Sequence, residues 1–388
     1  MGRRTEGSMR GGDLSSARSA GDHLVDLAWR DVGSSSRKQW TALVEGGGDN
    51  PSLRPDWLEC AAEAWGVLEQ VRVCLFTRND ALVAVVPFLL RRRQMGGLPV
   101  RTLELVGNLV SYHQEVLALN AGAEYLDAFL RHAGRYVWDA LVVDNVVVGG
   151  RTDRDLRALT SPAVGVRLMH PGELSPFLSL PLEWEPFVVA RKNSFRYGLR
   201  RAERHLDDHD GDEMRWYRGL DDWRTLLEQM VAIEDRSWKA QEGMNISARP
   251  EELRYYELLL PVLAQAGILF ANVLVREGRP IAYSLCYAAG GQVGQMKASF
   301  DEALAKERPG FVSIAASVRR AVEEGFAEYD FLGDRMRHKS DWTSSVRKHV
   351  THIVFRRSPR GLLLGATKRF MRAIRGVRSQ ASPESGEI

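Results

Sequence analysis

The stretch ILFANVLVREGRPIAYSLCYAAGGQVGQMKASF, residues 268–300, decides the fold of this chain. It holds three runs of β-branched and aromatic residues, separated by the turn sequences EGRP (277–280) and GG (290–291). Such runs between Gly- and Pro-containing turns predict an antiparallel meander. Apolar residues then recur every three or four positions across 311–326, which predicts an amphipathic helix, and the apolar segment 329–332 predicts a further strand.

Pro309 and Gly310 lie between the meander and the helix. The free N–H groups and the positive dipole end of a helix N-terminus attract phosphates, so a turn at this place can hold a phosphate-bearing ligand. A turn that merely starts a helix is the simpler explanation of a lone Pro-Gly pair. The order strand, strand, strand, loop, helix, strand is what favours the binding hypothesis.

The composition is that of a soluble globular protein. The 388 residues fit two domains of ordinary size, and 44% apolar with 27% charged residues can build a core. The formal net charge of +3 is too small for this length to indicate nucleic-acid binding, so no DNA partner is expected. The three cysteines suit buried thiols in a reducing compartment, and no apolar run is long enough to span a membrane. We expect a cytoplasmic protein whose residues 1–21 are disordered.

Several other chemistries lack their residues. The nine histidines are scattered, so no metal site is expected. The sequence contains neither a Walker A loop nor a Gly-x-Ser-x-Gly elbow. Cys286 lies in a predicted strand with no histidine near it in sequence, which favours a packed thiol over a nucleophile.

The first half of the chain repeats the order of the second. Strand-like runs at 71–78, 82–90 and 100–106 precede a helical stretch and a further strand beginning with Trp138-Asp139, as the later strand begins with Tyr329-Asp330. This parallel predicts a doubled α/β unit. Four prolines between residues 151 and 182 predict an irregular connection. The predicted divisions are 1–21, a first domain with its connection at 22–182, a second domain with the ligand site at 183–357, and a C-terminal helix and tail at 358–388.

A predicted helix at 191–206 carries a basic row. Lys192, Arg196, Arg200 and Arg204 recur every four residues, and Glu203 is the only acid in this stretch. A guanidinium row of this kind can bind phosphates or carboxylates bidentately. A solvated helix face is the alternative.

These motifs together resemble a known family. The shared elements occur in a fixed order and are FR (195–196), LRR (199–201), SWK (237–239), GRPIA (278–282), Lys297, FD (300–301), PG (309–310), YDFLG (329–333) and KSDW (339–342). This set resembles the CelD/BcsL-type acetyltransferases, a group of the GNAT superfamily with a tandem, Fem-like architecture that is often linked to exopolysaccharide formation. The resemblance implies an α/β (α+β) fold of two GNAT-like domains, each a mixed, mainly antiparallel sheet flanked by helices.

The resemblance implies transfer of an acetyl or acyl group from acetyl-CoA or another acyl-CoA. The expected acceptor is an amine or hydroxyl of a small molecule, such as a sugar, an envelope or exopolysaccharide precursor, or a specialised metabolite. Glu307 departs from the usual GNAT phosphate loop, and it must point away if a pyrophosphate binds there. This departure leaves open an aminoacyl-tRNA donor, which Fem transferases use, and a non-catalytic scaffold role.

The expected site residues follow from this interpretation. Asp334 follows Gly333 at a strand exit, the commonest place for a working side chain in an open α/β sheet, and is the first candidate base. Asp301 is the second candidate, and Lys339 is expected to orient an acidic acceptor or to pair with Asp334. The residues expected to bind the donor are Lys297, Ser299, Pro309, Gly310, Phe311, Val312 and Ser313. The residues expected to bind the acceptor are Arg196, Arg200, Trp238, Lys239 and Trp342.

The C-terminal stretch 356–378 contains eight arginines and lysines and no acid, with apolar residues partly at helical spacing. A basic amphipathic helix of this kind can lie on an anionic membrane surface. The alternative is that its apolar residues pack on the second domain. We therefore expect either a peripheral membrane contact or a packed helix, with Gly361 and Gly365 weakening its first turns.

Overall fold

The computed structural model describes residues 23–47, 50–118, 122–208 and 211–380, without the side chains of 202–203, 205–208 and 372–380. The predicted disordered N-terminus therefore lies outside the described residues. No helix of the described part is long and apolar enough to cross a membrane.

The first half has seven strands and four α-helices among its described residues. They are β1 (His23–Ala28), α1 (Ser34–Gly47), α2 (Pro55–Ala64), β2 (Arg72–Arg78), β3 (Ala81–Met95), β4 (Leu98–Leu105), β5 (Leu117–Ala118), α3 (Ala123–His132), β6 (Ala140–Val147), α4 (Arg151–Ala158) and β7 (Val164–Ser179).

The second half repeats this order with extra short helices. Its elements are α5 (Trp184–Val189), α6 (Asn193–Asp208), β8 (Asp212–Tyr217), α7 (Trp223–Glu234), α8 (Trp238–Gln241), α9 (Pro250–Gln265), β9 (Leu269–Arg276), β10 (Arg279–Ala289), β11 (Gln292–Phe300), α10 (Pro309–Glu323), β12 (Glu328–Asp330), α11 (Arg337–Ser340), β13 (Val346–Arg356) and α12 (Pro359–Gln380). The predicted meander is β9, β10 and β11.

The described strands form one continuous sheet with the order β1-β2-β3-β4-β6-β13-β7-β12-β11-β10-β9-β8, and β5 pairs with β3. Only β4 with β6 and β11 with β12 run parallel, and the other pairs are antiparallel. The order is symmetrical about its centre. The last strand of each half is exchanged, because β13 pairs with β6 of the first half while β7 pairs with β12 of the second. The fold is thus a mixed, mainly antiparallel α/β arrangement in two similar halves.

The irregular connection predicted for 151–182 is wrong. Helix α4 and the 16-residue strand β7 occupy most of it. The strand accommodates its prolines because Pro171 faces Val350 at a register shift, and because β7 gains its second neighbour only at Phe177. Proline is tolerated at bulges and at strand edges, where no ladder hydrogen bond is lost.

Helix α12 packs on the exchanged strands at its start. Leu364 is buried against Phe355 and Val166. A Cβ on Gly365 would approach Val166 Cβ to 2.6 Å, so this glycine permits the close contact of helix and strand. Leu363 and Phe370 remain 68% and 67% exposed. Packing therefore accounts for one face of the helix, and membrane contact by the other face stays a prediction.

The exchange of strands predicts that β13 supports the first half. Phe355 is fully buried in a cluster with Met95 and Val100, so Phe355→Ala should lower the free energy of unfolding by about 3–5 kcal/mol. Denaturant titration measures this loss, and hydrogen exchange should become faster in β6. Phe370→Ala is the matched control and should cost less than about 1 kcal/mol. Unchanged protection of β6 in the Phe355 variant would contradict the coupling.

Candidate active site

The parallel strands β11 and β12 separate after a short pairing. Only residues 292–294 of β11 pair with 328–330 of β12, and β11 continues to Phe300 without this neighbour. The chain beyond β12 turns away through Leu332 and Gly333, both with left-handed φ values of 45° and 60°. The split opens into a cavity of about 570 Å³.

The backbone of β11 faces this cavity on the side that β12 leaves. Because Asp301 N–H donates to Ile281 O, the alternation of an antiparallel ladder turns the N–H and C=O of Ala298 away from β10. Lys239 Nζ donates to Ala298 O at 3.0 Å, and Tyr112 Oη donates to Met296 O at 3.1 Å. The same alternation directs the N–H of Ala298 into the split.

Two predicted binding lysines line the cavity with their charges compensated. Lys239 donates to the fully buried Glu234, which also accepts from Tyr283 Oη at 2.7 Å. Lys297 binds Glu252 at 2.5 Å and lies 3.5 Å from Glu234. Burial lowers the pKa of Lys239, against the opposing effect of Glu234. These lysines therefore fix the cavity wall rather than supply free positive charge.

The start of α10 forms another wall. Gly310 and Phe311 line the cavity, while Pro309 is buried beside them. A Cβ on Gly310 would lie 2.8 Å from Phe300 Cδ1, so the glycine permits close packing of the helix on β11. Val312 and Ser313 point their side chains away from the cavity: Val312 packs in a separate core cluster, and Ser313 donates to Asn272 at 2.6 Å.

The acidic residue of the loop is directed away from this wall. Glu307 binds Arg276 at 2.7 Å. Its carboxylate therefore points away from the helix N-terminus, as phosphate binding there requires. Arg308 instead precedes the helix with a left-handed φ of 60° and lines the cavity. The helix start therefore presents a cation, whose guanidinium lies 3.8 Å from the Asp341 carboxylate.

A second, polar cavity of about 570 Å³ adjoins the first. Arg308, Phe311 and Trp342 line both, and Arg191 and Lys192 line the second. Buried polar atoms without a hydrogen-bond partner among the described residues lie around the two cavities: Ser299 Oγ, Trp342 Nε1 and Arg191 Nε. Such atoms are rare in folded proteins and indicate a ligand or water.

The other residues predicted to bind the acyl acceptor lie in different parts of the second half. Trp238 lines the main cavity. Arg196 donates to Asn193 on its own helix, and Arg200 is exposed on α6. Neither arginine lines either of the two cavities.

The three predicted catalytic residues have different surroundings. Asp334 is exposed, and its Oδ1 accepts the backbone N–H of Leu174 and of Arg335. Those hydrogen bonds lower the pKa of its carboxyl. Burial raises the pKa of Asp301, but hydrogen bonding to Arg236 and the nearby charges lower it overall. Neither carboxylate lines the cavity, whereas Lys339 does and donates to Leu332 O at 2.5 Å. A base role for either aspartate stays a prediction that this geometry does not support.

No sequence pattern predicts the buried network that lies beside the split. Asp330 lies 2.9 Å from His113 Nε2, and His113 Nδ1 lies 2.8 Å from His349 Nε2. Arg347 and Ser175 also donate to Asp330. The sequence pattern included Asp330 only as part of the strand start Tyr329-Asp330. No local spacing connects it with His113 or Ser175, which lie 217 and 155 positions away.

One group of possible metal ligands lies far from this site in the first half. Asp26, Cys74 and His132 place their ligand atoms within 4.8 Å of one another. The Asp26 carboxylate already accepts hydrogen bonds from Arg72 and Tyr136, which satisfy its charge. The expectation of no metal stays a prediction.

Comparison with known proteins supports the interpretation of the second half. Residues 193–340 match the family model of the acetyltransferase (GNAT) domain. The match covers less than half of the chain and includes the β11–β12 split and the start of α10. No match to the sequence is found among curated proteins.

Solved structures share the fold over most of the chain. FemX aligns with a TM-score of 0.56 at 14% identity, over 81% of this chain and 95% of that one. A conserved protein of unknown function from Bacteroides thetaiotaomicron gives 0.56 at 11% identity, over 86% and 99%. The C-terminal domain of a putative lysylphosphatidylglycerol synthetase from Agrobacterium fabrum gives 0.50 at 10% identity, over 86% and 96%. At these identities the likeness shows the fold alone.

The buried histidine predicts a specific acid sensitivity. Burial, with the neighbouring His113, lowers the pKa of His349 to about 4 from its usual 6.5. The unfolded chain therefore binds a proton between pH 6.5 and 4 that the folded chain does not, so stability is full above pH 6.5 and falls toward pH 4. The loss should be on the order of 3 kcal/mol, since each pKa unit is worth about 1.4 kcal/mol.

Denaturant titrations at a series of pH values measure this effect. His349→Asn should flatten the dependence between pH 6.5 and 4, although the variant is less stable at pH 7. His23→Asn, at the exposed start of β1, is the control and should leave the curve unchanged. An identical slope in the His349 variant and the wild type would contradict the assignment.

Proposed function

We propose that the protein is an acyl-CoA-dependent acyltransferase whose donor lies in the split between β11 and β12. The observation that supports this most is the continuity of an apolar cavity with a basic one across Phe311 and Trp342. A thioester donor with a long, mostly uncharged arm and a phosphorylated end has the same two parts. The match of 193–340 to the acetyltransferase domain agrees with this proposal.

The residues present fit such a donor at both ends. Ser299 and Trp342 line the split, and Ser299 Oγ and Trp342 Nε1 lack a hydrogen-bond partner among the described residues. Arg191, Lys192 and Arg308, with the N-terminus of α10, offer positive charge to the phosphates. The bound donor supplies an activated thioester carbonyl, and the N–H of Ala298 faces the cavity where such a carbonyl can accept a hydrogen bond.

The acceptor in this proposal carries an amine or a hydroxyl. The resemblance to CelD/BcsL-type enzymes supports a sugar, an envelope or exopolysaccharide precursor, or a specialised metabolite. Lys239 and Lys297 do not select an anionic acceptor, because the carboxylates of Glu234 and Glu252 compensate their charges.

An aminoacyl-tRNA donor is the second candidate. It is favoured by a basic row formed by Lys192, just before α6, and by three arginines on α6. Lys192, Arg200, Arg201 and Arg204 are exposed and make no ion pair with an acid among the described side chains. A polyanion could follow this row toward the second cavity. The two donors are separable, since free acetyl-CoA does not require the row.

Donor binding predicts stabilisation by acetyl-CoA, because a ligand of the folded state raises the melting temperature by mass action. Arg308→Asn should weaken binding about 10- to 100-fold, since a charge-assisted hydrogen bond contributes about 1.5–3 kcal/mol. Asparagine tolerates the left-handed backbone of this position, so the change removes the cation without straining the turn. Differential scanning fluorimetry over an acetyl-CoA series measures the shift.

Arg319→Asn is the matched control, because Arg319 lies on the exposed face of the same helix and pairs with Glu323. It should bind acetyl-CoA like the wild type. No thermal shift of the wild type with millimolar acetyl-CoA or longer acyl-CoAs would exclude the acyl-CoA donor. Binding of charged tRNA would then support the second candidate, and binding of neither would leave a scaffold role.

A further inference from the structure

We propose that helix α12 holds the protein on an anionic phospholipid surface, with Leu363 and Phe370 inserted among the lipids and basic side chains on the headgroups. The proposal goes beyond acyl transfer and does not depend on it. It rests on the contacts that fix one face of the helix and on the residues that the other face presents to solvent.

The inner face of α12 is fixed on the protein. Gly361, Leu364, Lys368 and Met371 recur at spacings of three and four residues, so they share this face. A Cβ on Gly361 would clash with the carbonyl at the end of β13, and Leu364 is buried in the core cluster beneath the helix. Lys368 and Met371 lie against Gly96, in the turn between β3 and β4. These contacts set the orientation of the helix and therefore also what the opposite face presents.

The outer face carries an apolar stripe. Leu363, Ala366 and Phe370 are exposed and lie three and four residues apart, so they form one row along the helix. Leu363 and Phe370 each leave about two thirds of their surface in solvent, and the neighbouring Leu362 is partly exposed as well. Large apolar side chains that are exposed together, rather than singly, indicate an interaction surface.

The cations of the helix have no acidic counterpart on it. Six arginines and lysines and no acid lie between residues 359 and 380. Since the whole chain has a net charge of +3, the rest of the molecule is net negative and positive charge is concentrated on this helix. Arg369 is exposed and makes no ion pair with a described acid. Arg360 shares the Asp139 carboxylate with Arg101, so one negative charge faces two positive ones there. The helix therefore retains positive charge that an external anion can neutralise.

An anionic bilayer fits both features of this face. Its phosphate headgroups pair with the cations and the hydrocarbon beneath them receives the stripe, which is the arrangement of an interfacial helix. A second copy of the chain fits less well, because a two-fold interface places identical surfaces, and here like charges, against each other. A nucleic acid would pair with the cations but gain nothing from Leu363.

Vesicle co-sedimentation of the full chain tests the surface. The protein should bind vesicles of equal parts phosphatidylcholine and phosphatidylglycerol at low salt. It should bind phosphatidylcholine alone at least about tenfold more weakly, since each basic residue near an anionic surface strengthens binding about fivefold. High salt should weaken binding to the mixed vesicles, because it screens the charges. Equal binding to both kinds of vesicle, or no binding to either at low salt, would overturn the proposal.

Variants separate the apolar contribution from the electrostatic one. Leu363→Ala combined with Phe370→Ala should reduce vesicle affinity at least about tenfold, because burial of the two side chains is lost. Arg369→Glu should reduce it roughly 25-fold, since one positive charge is removed and one negative charge is added. The matched controls are Leu182→Ala, at an exposed leucine before α5, and Lys38→Glu, at an exposed lysine of α1. Both should bind like the wild type, and controls that lose as much affinity as the α12 variants would contradict the assignment to this helix.

A fluorescent label tests whether the stripe enters the lipid. All three native cysteines are buried, so Ala366→Cys introduces one accessible thiol between Leu363 and Phe370 and keeps both. A nitrobenzoxadiazole group on this thiol should emit at shorter wavelength on anionic vesicles and be quenched by brominated acyl chains. The same label on Leu182→Cys should show neither change. A label at position 366 that stays in water while the protein binds would exclude insertion of the stripe.

The other partners give different results. A concentration-dependent dimer in sedimentation velocity, dissociated by Leu363→Ala with Phe370→Ala, would assign the stripe to a second copy and overturn the proposal. Binding of a single-stranded RNA oligonucleotide that is tighter than vesicle binding at the same salt, and unaffected by that double substitution, would overturn it in favour of a nucleic acid.

Discussion

The buried carboxylate of Asp330 is the point on which both halves of the molecule depend. It is fully buried at the end of β12 and accepts hydrogen bonds from four separate segments. His113 comes from the first half, Ser175 and Arg347 come from the two exchanged strands, and the N–H of Leu332 comes from the turn beside the cavity. A buried charge is tolerated only when such partners surround it, because an uncompensated one costs several kcal/mol. Burial raises the pKa of Asp330, yet these partners lower it overall, so the carboxylate stays ionised and keeps its partners in place.

The same contact shapes the candidate active site. Leucine in a left-handed conformation costs about 1–2 kcal/mol, and Leu332 adopts one at the point where the chain leaves β12. The hydrogen bond from Leu332 N–H to Asp330, at 2.8 Å, and the bond from Lys339 to Leu332 O offset this cost. The turn carries the chain away from β11, so its hydrogen bond to Asp330 supports the split. The contact between the two halves and the cavity are therefore parts of one arrangement.

Local patterns predicted the meander, the helix after it and the repeated order of elements, because each depends on residues that are near in sequence. The exchange of β7 and β13 was not predictable in this way. Their pairing depends on partners from the opposite halves, and the prolines of β7 argued against any strand. The expected lining residues around 297–311 were largely found in the cavity wall, whereas the buried pairing of Lys239 and Lys297 with Glu234 and Glu252 depends on helices α7 and α9. Strand-exit position favoured Asp334, since no sequence rule shows which carboxylate accepts backbone hydrogen bonds.

The two halves also show why one of them holds the cavity. Strand β4 corresponds to β11. Its last residue paired with β6 is Glu104, and β4 ends one residue later, at Leu105. The side chain of Asn108 then lies beside β6. Its amide donates to Val142 O at 2.9 Å and accepts from Asp144 N–H at 3.1 Å, so it satisfies the backbone of β6 that the missing strand would have left open. In the second half, β11 extends six residues past its last pair with β12. A buried strand edge is costly unless its N–H and C=O groups find partners. In the first half the side chain of Asn108 supplies such partners to β6. In the second half the N–H of Ala298 on β11 faces a cavity instead.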